Sequence, residues 1–177
     1  MIEKLIPEHI DPFRYAEQSL QLEGVVKLTD MPRLSANLFA TDDKVAVHLQ
    51  FGVDEQGINF IKGRLNAKLI LQCQRCMEPY IYEIMPNFAL GLVSTVDEAN
   101  ALPELYEPAL AKEGSLALRE LIEDEIILNL PIIPRHELEG CKVKLSMPDL
   151  NGVNGKQVEK SNPFHVLSTL KEKGKDK

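Results

Sequence analysis

Cys73-Gln-Arg-Cys76 is the segment of this 177-residue chain with the clearest chemical character. Two thiolates at that spacing can share one tetrahedral Zn²⁺ if two further ligands arrive from elsewhere. His136 and Cys141 offer them, about 60 residues on and just past Pro131 and Pro134. Cys, Cys, His, Cys is a legitimate structural-zinc set, and zinc is the one cofactor the sequence suggests. A plainer alternative stands beside it: two small apolar residues capping a strand, with His136 in a loop. Four residues separate His136 from Cys141 and no glycine follows Cys76, so the signature of a doubled C-x₂-C is missing. Redox use of the pair has less support. Thioredoxin-type activation needs a helix N-terminus, and a strand is expected to follow Cys76.

Glu125 is the second residue of chemical interest. It falls between Ile122 and Leu128 on the apolar stripe of an expected helix, where an unpaired carboxylate is costly. One role is a general base or metal ligand, which with the cysteine cluster would make a metal-dependent hydrolase or nuclease. The other is a paired carboxylate with Arg75 or Arg119 as its cation, and the structural pair Arg75–Glu125 is the favoured reading. Glu120, Glu123 and Asp124 lie on the opposite face and read as a solvated surface open to a partner. Most catalytic signatures are absent: there is no phosphate loop, no dinucleotide glycine pattern and no nucleophile elbow. The zinc deaminase pattern fails as well, with Gln72 before Cys73 and Glu137-Leu138 after His136. An enzyme is not expected.

Strands must position the cysteine pair. From Val45 to Val53 the odd positions are Val, Val, Leu, Phe, Val, a period-two pattern with one buried face. Asp54 to Gly57 supplies turn chemistry and Ile58-Asn-Phe-Ile61 returns. Leu65, Ala67, Leu69, Leu71 and Cys73 share the next face, and a further extended stretch runs from Tyr80 to Val93. Short connections argue for antiparallel pairing. Asp11-Pro12-Phe13 opens a short helix, and a longer one is expected from Leu116 to Leu130, after Ser115 and before Pro131. Its stripe is Leu118, Leu121, Ile122 and Leu128. The fold class is therefore α+β, an antiparallel β meander with a few packed helices. Residues 1–140 form a single α+β domain, 141–161 a flexible linker, and 162–177 a short amphipathic helix and basic tail with Phe164 inward and available to a partner.

Charge is unevenly spread. Residues 1–70 carry a net −2, residues 71–140 a net −9 and residues 141–177 a net +4. A protein gripping RNA through its body should show a basic stripe that releases counterions. The segment sums show the opposite, so rRNA contact is expected to be indirect or through the C-terminal tail, and the acidic body is expected to dock on a basic protein. No apolar run approaches the roughly 20 residues that span a bilayer. The first residues have neither a basic nor an apolar leader region. A cytoplasmic location without membrane or small-molecule partners is expected.

These landmarks resemble the bacterial YceD family, the large ribosomal RNA subunit accumulation proteins, found also in plastids. The resemblance runs through Asp11-Pro12, Cys73-Gln-Arg-Cys76, Leu102-Pro-Glu-Leu-Tyr-Glu-Pro108, Glu123 to Pro131, Pro134-Arg-His136 and Asn162-Pro-Phe164. It implies a role in synthesis, processing or stability of large-subunit (23S) rRNA, hence in ribosome biogenesis, with no enzymatic activity. Many relatives carry a second cysteine pair where this chain has His136 and Cys141, which implies an ancestral metal site. The resemblance makes a ribosomal or rRNA-processing protein the expected partner. The competing functions are the hydrolase or nuclease above and a zinc-stabilised adaptor unrelated to ribosomes.

Overall fold

Alternating apolar and polar side chains make the two longest strands, β3 (Lys44–Val53) and β4 (Asn59–Gln72). They pair antiparallel with Val47 opposite Leu65 and Phe51 opposite Ile61, so one face of both is apolar. The computed structural model describes residues 4–41, 43–137 and 140–143. One compact unit spans Met1–Lys144. The expected amphipathic helix, Phe164 and most of the expected linker lie outside the described residues.

Along the chain, β1 (His9–Ile10), α1 (Pro12–Glu17) and β2 (Gln21–Lys27) come first. A 3-10 turn (Leu28–Asp30) and α2 (Pro32–Ser35) lead into β3. After β4 come β5 (Pro79–Ile84), β6 (Asn87–Val93), α3 (Val96–Asn100), β7 (Glu107–Leu110), β8 (Leu116–Ala117) and α4 (Leu118–Leu128). The main sheet has the order β2-β3-β4-β6-β7, with β5 also on β4, while β1 and β8 form a small separate pair. The α+β class and the antiparallel meander hold, and four details of the expectation change. The segment from Ile58 to Gln72 forms one 14-residue strand after its first residue. The stretch from Tyr80 to Val93 breaks at Met85-Pro86, and its halves lie end to end along β4. Pro86 has no N–H to give the ladder, but its carbonyl accepts from Leu65 N at 3.0 Å, so the kink stays attached. β7 pairs parallel with β6, reached through α3. The long helix begins at Leu118, because Leu116 and Ala117 are held as a strand opposite Ile10 and His9.

Helices α1 and α4 pack on one sheet face, while Leu102 and Tyr106, which follow α3, cover the Phe60–Gly91 end of the other. Asp11 caps α1 by accepting from Arg14 N at 3.1 Å, and Tyr15 meets Phe51 edge-on at 5.1 Å. The core side of α4 is Leu118, Ile122 and Ile126, all buried. Leu128 is 73% exposed and is not part of the stripe, since it ends the helix and points away from the sheet. The N-terminal segment straps the β2 edge: Val25 N donates to Lys4 O at 2.9 Å. Gly24 permits this, because a Cβ there would lie 2.2 Å from Lys4 O. A covered edge is a protected edge. The other sheet face carries alternate residues of β2, β3 and β4 and is largely open to solvent.

Candidate metal centre

Strand parity sends Cys73 inward at the end of β4, where its side chain is fully buried. The chain then turns sharply. Met77 N donates to Cys73 O at 2.8 Å and Cys73 N to Glu78 O at 2.9 Å, which starts β5. Met77 sits at φ 62, a left-handed conformation that favours glycine, so the turn forms without the glycine expected of such a knuckle. The segment after α4 folds back onto this turn. Gln74 N donates to Pro134 O at 2.8 Å, and the His136 ring lies 5.1 Å from that of Tyr80. Lys142 pairs with Glu78 at 2.8 Å and holds the far end.

Cys73, Cys76, His136 and Cys141 are thereby brought together, with all four ligand atoms within 4.8 Å of one another. Cys76 Sγ is 3.4 Å from His136 Nδ1, and His136 N donates to Cys73 Sγ at 3.4 Å. A tetrahedral zinc about 2.3 Å from sulfur sets its ligand atoms roughly 3.8 Å apart. The four donors fit that geometry after a contraction of about 1 Å at the widest pair. Burial pushes the Cys73 thiol up, but the backbone N–H groups of His136, Cys76 and Arg75 and the His136 ring outweigh it, bringing it down to about 5. Cys76 behaves oppositely. The Glu78 N–H lowers it, yet burial and the neighbouring thiols of Cys73 and Cys141 push it up. Three sulfurs share one small space, and a cation at their centre would relieve their mutual repulsion.

Arg75 does not pair with Glu125. Its Nε donates to Cys141 Sγ at 2.9 Å, and its Nη2 to the His136 carbonyl at 3.2 Å and the Glu137 carbonyl at 3.4 Å. It clamps the returning loop, which sequence spacing gave no means to see. Arg119 lies near Glu8, at 3.9 Å, and the Ile6 carbonyl. Among the described residues no cation meets the Glu125 side chain. Burial, then the like charges of Glu107 and Asp124, raise its pKa. The buried carboxylate of α4 is Glu123, which was expected on the solvated face. It is 3% exposed and accepts from Leu34 N at 2.9 Å and from Arg33 Nε at 3.0 Å. Arg33 also reaches Asp124 at 2.5 Å. The reason is α2, which packs against that flank of α4 and is invisible to helical periodicity.

Glu120, Asp124 and Glu125 remain together with Glu107 in a groove of about 710 Å³ between β7 and α4, floored by Leu90, Leu116 and Leu121. None of the four cluster residues lines it.

The family model described as "Large ribosomal RNA subunit accumulation protein YceD" matches residues 61–171. A Haemophilus influenzae protein of the same description is 34% identical over 169 residues, covering 95% of this chain and 97% of its own length. The chain belongs to the YceD family. The YceD match includes the Cys73–Cys76 turn, α4, and the loop that carries His136 and Cys141. No solved structure matches this chain. Among its described residues no helix is long and apolar enough to cross a membrane.

Proposed function

We propose that this YceD-family protein is a non-enzymatic factor that promotes accumulation of large-subunit (23S) rRNA by binding, in the cytoplasm where ribosomes are assembled. The observation that carries this reading is the match to a protein named for that role over 95% of the chain. The charge pattern supports the mode of action. Glu107, Glu120, Asp124 and Glu125 line one groove with an apolar floor, a surface suited to a basic ribosomal or rRNA-processing protein. Asp124 is partly neutralised by Arg33, and Lys112 lines the same groove, so the carboxylates of Glu107, Glu120 and Glu125 leave it a net negative charge.

The cysteine cluster serves the fold. Cys73, Cys76, His136 and Cys141 would hold one zinc ion, which would tie the loop after α4 to the β4–β5 turn. Four protein ligands leave no open coordination position for a water nucleophile. Glu125, the one candidate base, lines a different cavity. Both points weigh against the hydrolase and nuclease reading.

The test is a deletion strain in which mature 23S and 16S rRNA are quantified together. A lowered 23S to 16S ratio, restored by the wild-type gene, is expected. An unchanged ratio would remove the ribosomal reading. Complementation with E120K/E125K tests the groove: the variant should fold and fail to restore the ratio.

A further inference from the structure

The open face of the main sheet has a charge opposite to that of the rest of the protein. Register places Lys27 opposite Lys44, and along β4 the residues Lys62, Arg64 and Lys68 alternate onto the same side. Five of the twelve Lys and Arg residues in positions 1–140 therefore project from this one face. Of the 23 Asp and Glu residues there, only Glu23 and Glu83 project from its strands. Those two are engaged locally, Glu23 with His48 at 2.8 Å and Glu83 with Lys68 at 2.9 Å, and from the flanking turns Asp54 acts on Lys62 and Asp43 on Lys68, which still leaves the cations in excess. A face of net positive charge on a chain of net −7 is a segregation that linear segment sums conceal.

The shape of the face is informative too. Lys62 and Arg64 stand over a concavity of about 520 Å³ with His48, Gln50, Asn87 and Ala89 around them. A second hollow of about 380 Å³ continues from it past Arg64 to Ala46 and Asn66, with Glu23 and its partner His48 on its wall. Small residues and amides flank the cations, so a polyanion backbone can reach them and find hydrogen-bond donors beside them. Alternate residues along a strand are about 6.8 Å apart, comparable with the phosphate-to-phosphate step of a polynucleotide strand. Arg64 is held by Asn87, its Nε donating to Oδ1 at 3.1 Å, which orients the guanidinium. Lys62 packs over the Phe60 ring at 4.8 Å, and Phe60 itself is nearly buried. Phe88, the aromatic residue that lines the hollow, is half-buried and packs against the core, so the strands present phosphate-binding groups with limited aromatic surface for base stacking.

We propose that this face, centred on Lys62 and Arg64, binds the phosphate backbone of RNA with little sequence preference. The inference rests on the rRNA reading for its choice of polyanion. It adds a contact on the folded body to the expectation that RNA contact is indirect or through the tail. The acidic groove opens beside α4, on the helix-covered side, so protein and RNA can be held at once.

The test uses the full-length chain and a fluorescein-labelled 20-nucleotide single-stranded RNA, read by anisotropy across a salt series. Wild type should bind at low salt, with log K falling as log salt rises by about 0.7 per phosphate contacted. K62E/R64E should weaken binding at least tenfold at low salt and reduce that slope by about 1.4, two contacts' worth. Circular dichroism should show the variant folded, since both residues are exposed. K62Q/R64Q should give an intermediate loss and serves as the second variant if charge reversal disturbs the sheet. Unchanged RNA affinity in the folded variants overturns the proposal, as does absence of wild-type binding at low salt. Polyglutamate tested in parallel distinguishes an acidic polypeptide partner: loss of its binding in place of RNA binding also overturns it. A normal 23S ratio in the deletion strain alongside variant-sensitive RNA binding would refute the cellular role and leave the RNA face standing.

Discussion

Glu123 offers the sharpest check on the internal logic of the fold. Its carboxylate is almost fully buried against α2, where one oxygen accepts the Leu34 N–H and the other accepts from Arg33. Alanine at this position removes the acceptor of a buried backbone donor, which costs about 1–3 kcal/mol. Loss of one buried methylene adds about 0.8 kcal/mol. The ion pair adds only about 0–1 kcal/mol, because the Arg33 side chain is 51% exposed and water screens it. The expected total for E123A is about 3 kcal/mol, or roughly 6–12 °C in melting temperature for a chain of this size. E123Q keeps the methylene and an oxygen for Leu34 N, and should cost less than half as much. D124A should cost about 0–1 kcal/mol, although Asp124 makes the shorter contact to Arg33, because its own side chain is 54% exposed. Urea unfolding followed by circular dichroism would measure all three, with unchanged m values as the condition for comparison. E123A within about 1 kcal/mol of wild type would refute the argument that the Leu34 N–H depends on this carboxylate. E123Q as damaging as E123A would show that charge, not the acceptor, is what matters.

The neighbouring Glu125 should behave in the opposite sense. Burial and the charges of Glu107 and Asp124 raise its folded pKa above the unfolded one, so the folded state binds the extra proton and stability is lost as pH rises through that interval. E125Q should therefore raise the melting temperature at pH 7, and the advantage should vanish below pH 4; a lowered melting temperature at pH 7 would expose a cationic partner for Glu125. For the cluster, protein prepared without chelators should contain close to one equivalent of zinc by elemental analysis, and C73S should lose it and melt lower, because metal affinity is part of the folding free energy. Less than one-tenth equivalent in well-folded wild type would leave the thiols as a buried apolar cap.

What could be read from the sequence was what local periodicity and spacing encode. Val45 to Val53 announces itself because one of its faces is buried and the other wet. The four cluster residues stood out by type and order, and the fold brings them within 4.8 Å. β7 was not legible: Glu107-Pro-Ala-Leu110 has the composition of a loop and is a strand only because β6 supplies its parallel partner. The two carboxylates of α4 were exchanged for a similar reason. On a helical wheel Glu125 lies nearer than Glu123 to the Leu118–Ile122–Ile126 stripe. Its flank faces the open groove, however, while the flank of Glu123 meets Arg33 and Leu34. Periodicity reports distance from a stripe; it carries no information about which side a second helix occupies.

The same limit governs the electrostatics, with larger consequences for function. A charge sum over contiguous residues treats Lys62, Lys68 and their acidic neighbours in sequence as one population. A β-sheet sorts side chains by parity and a helix sorts them by angle, so charges close in sequence separate onto opposite surfaces. Here Lys27, Lys44, Lys62, Arg64 and Lys68, from three strands, collect on the open face. Glu107, Glu120 and Glu125, from a strand and a helix, collect beside the groove. Screening at physiological ionic strength falls off over about 8 Å. A phosphate backbone at the open face therefore responds chiefly to the cations there and only weakly to carboxylates on the other side of the sheet. Net acidity sets the protein's solubility and its repulsion from a polyanion at long range. Local sorting decides what each surface accepts at contact, and it gives the described residues of this acidic chain one face on which the proposed RNA contact can be made.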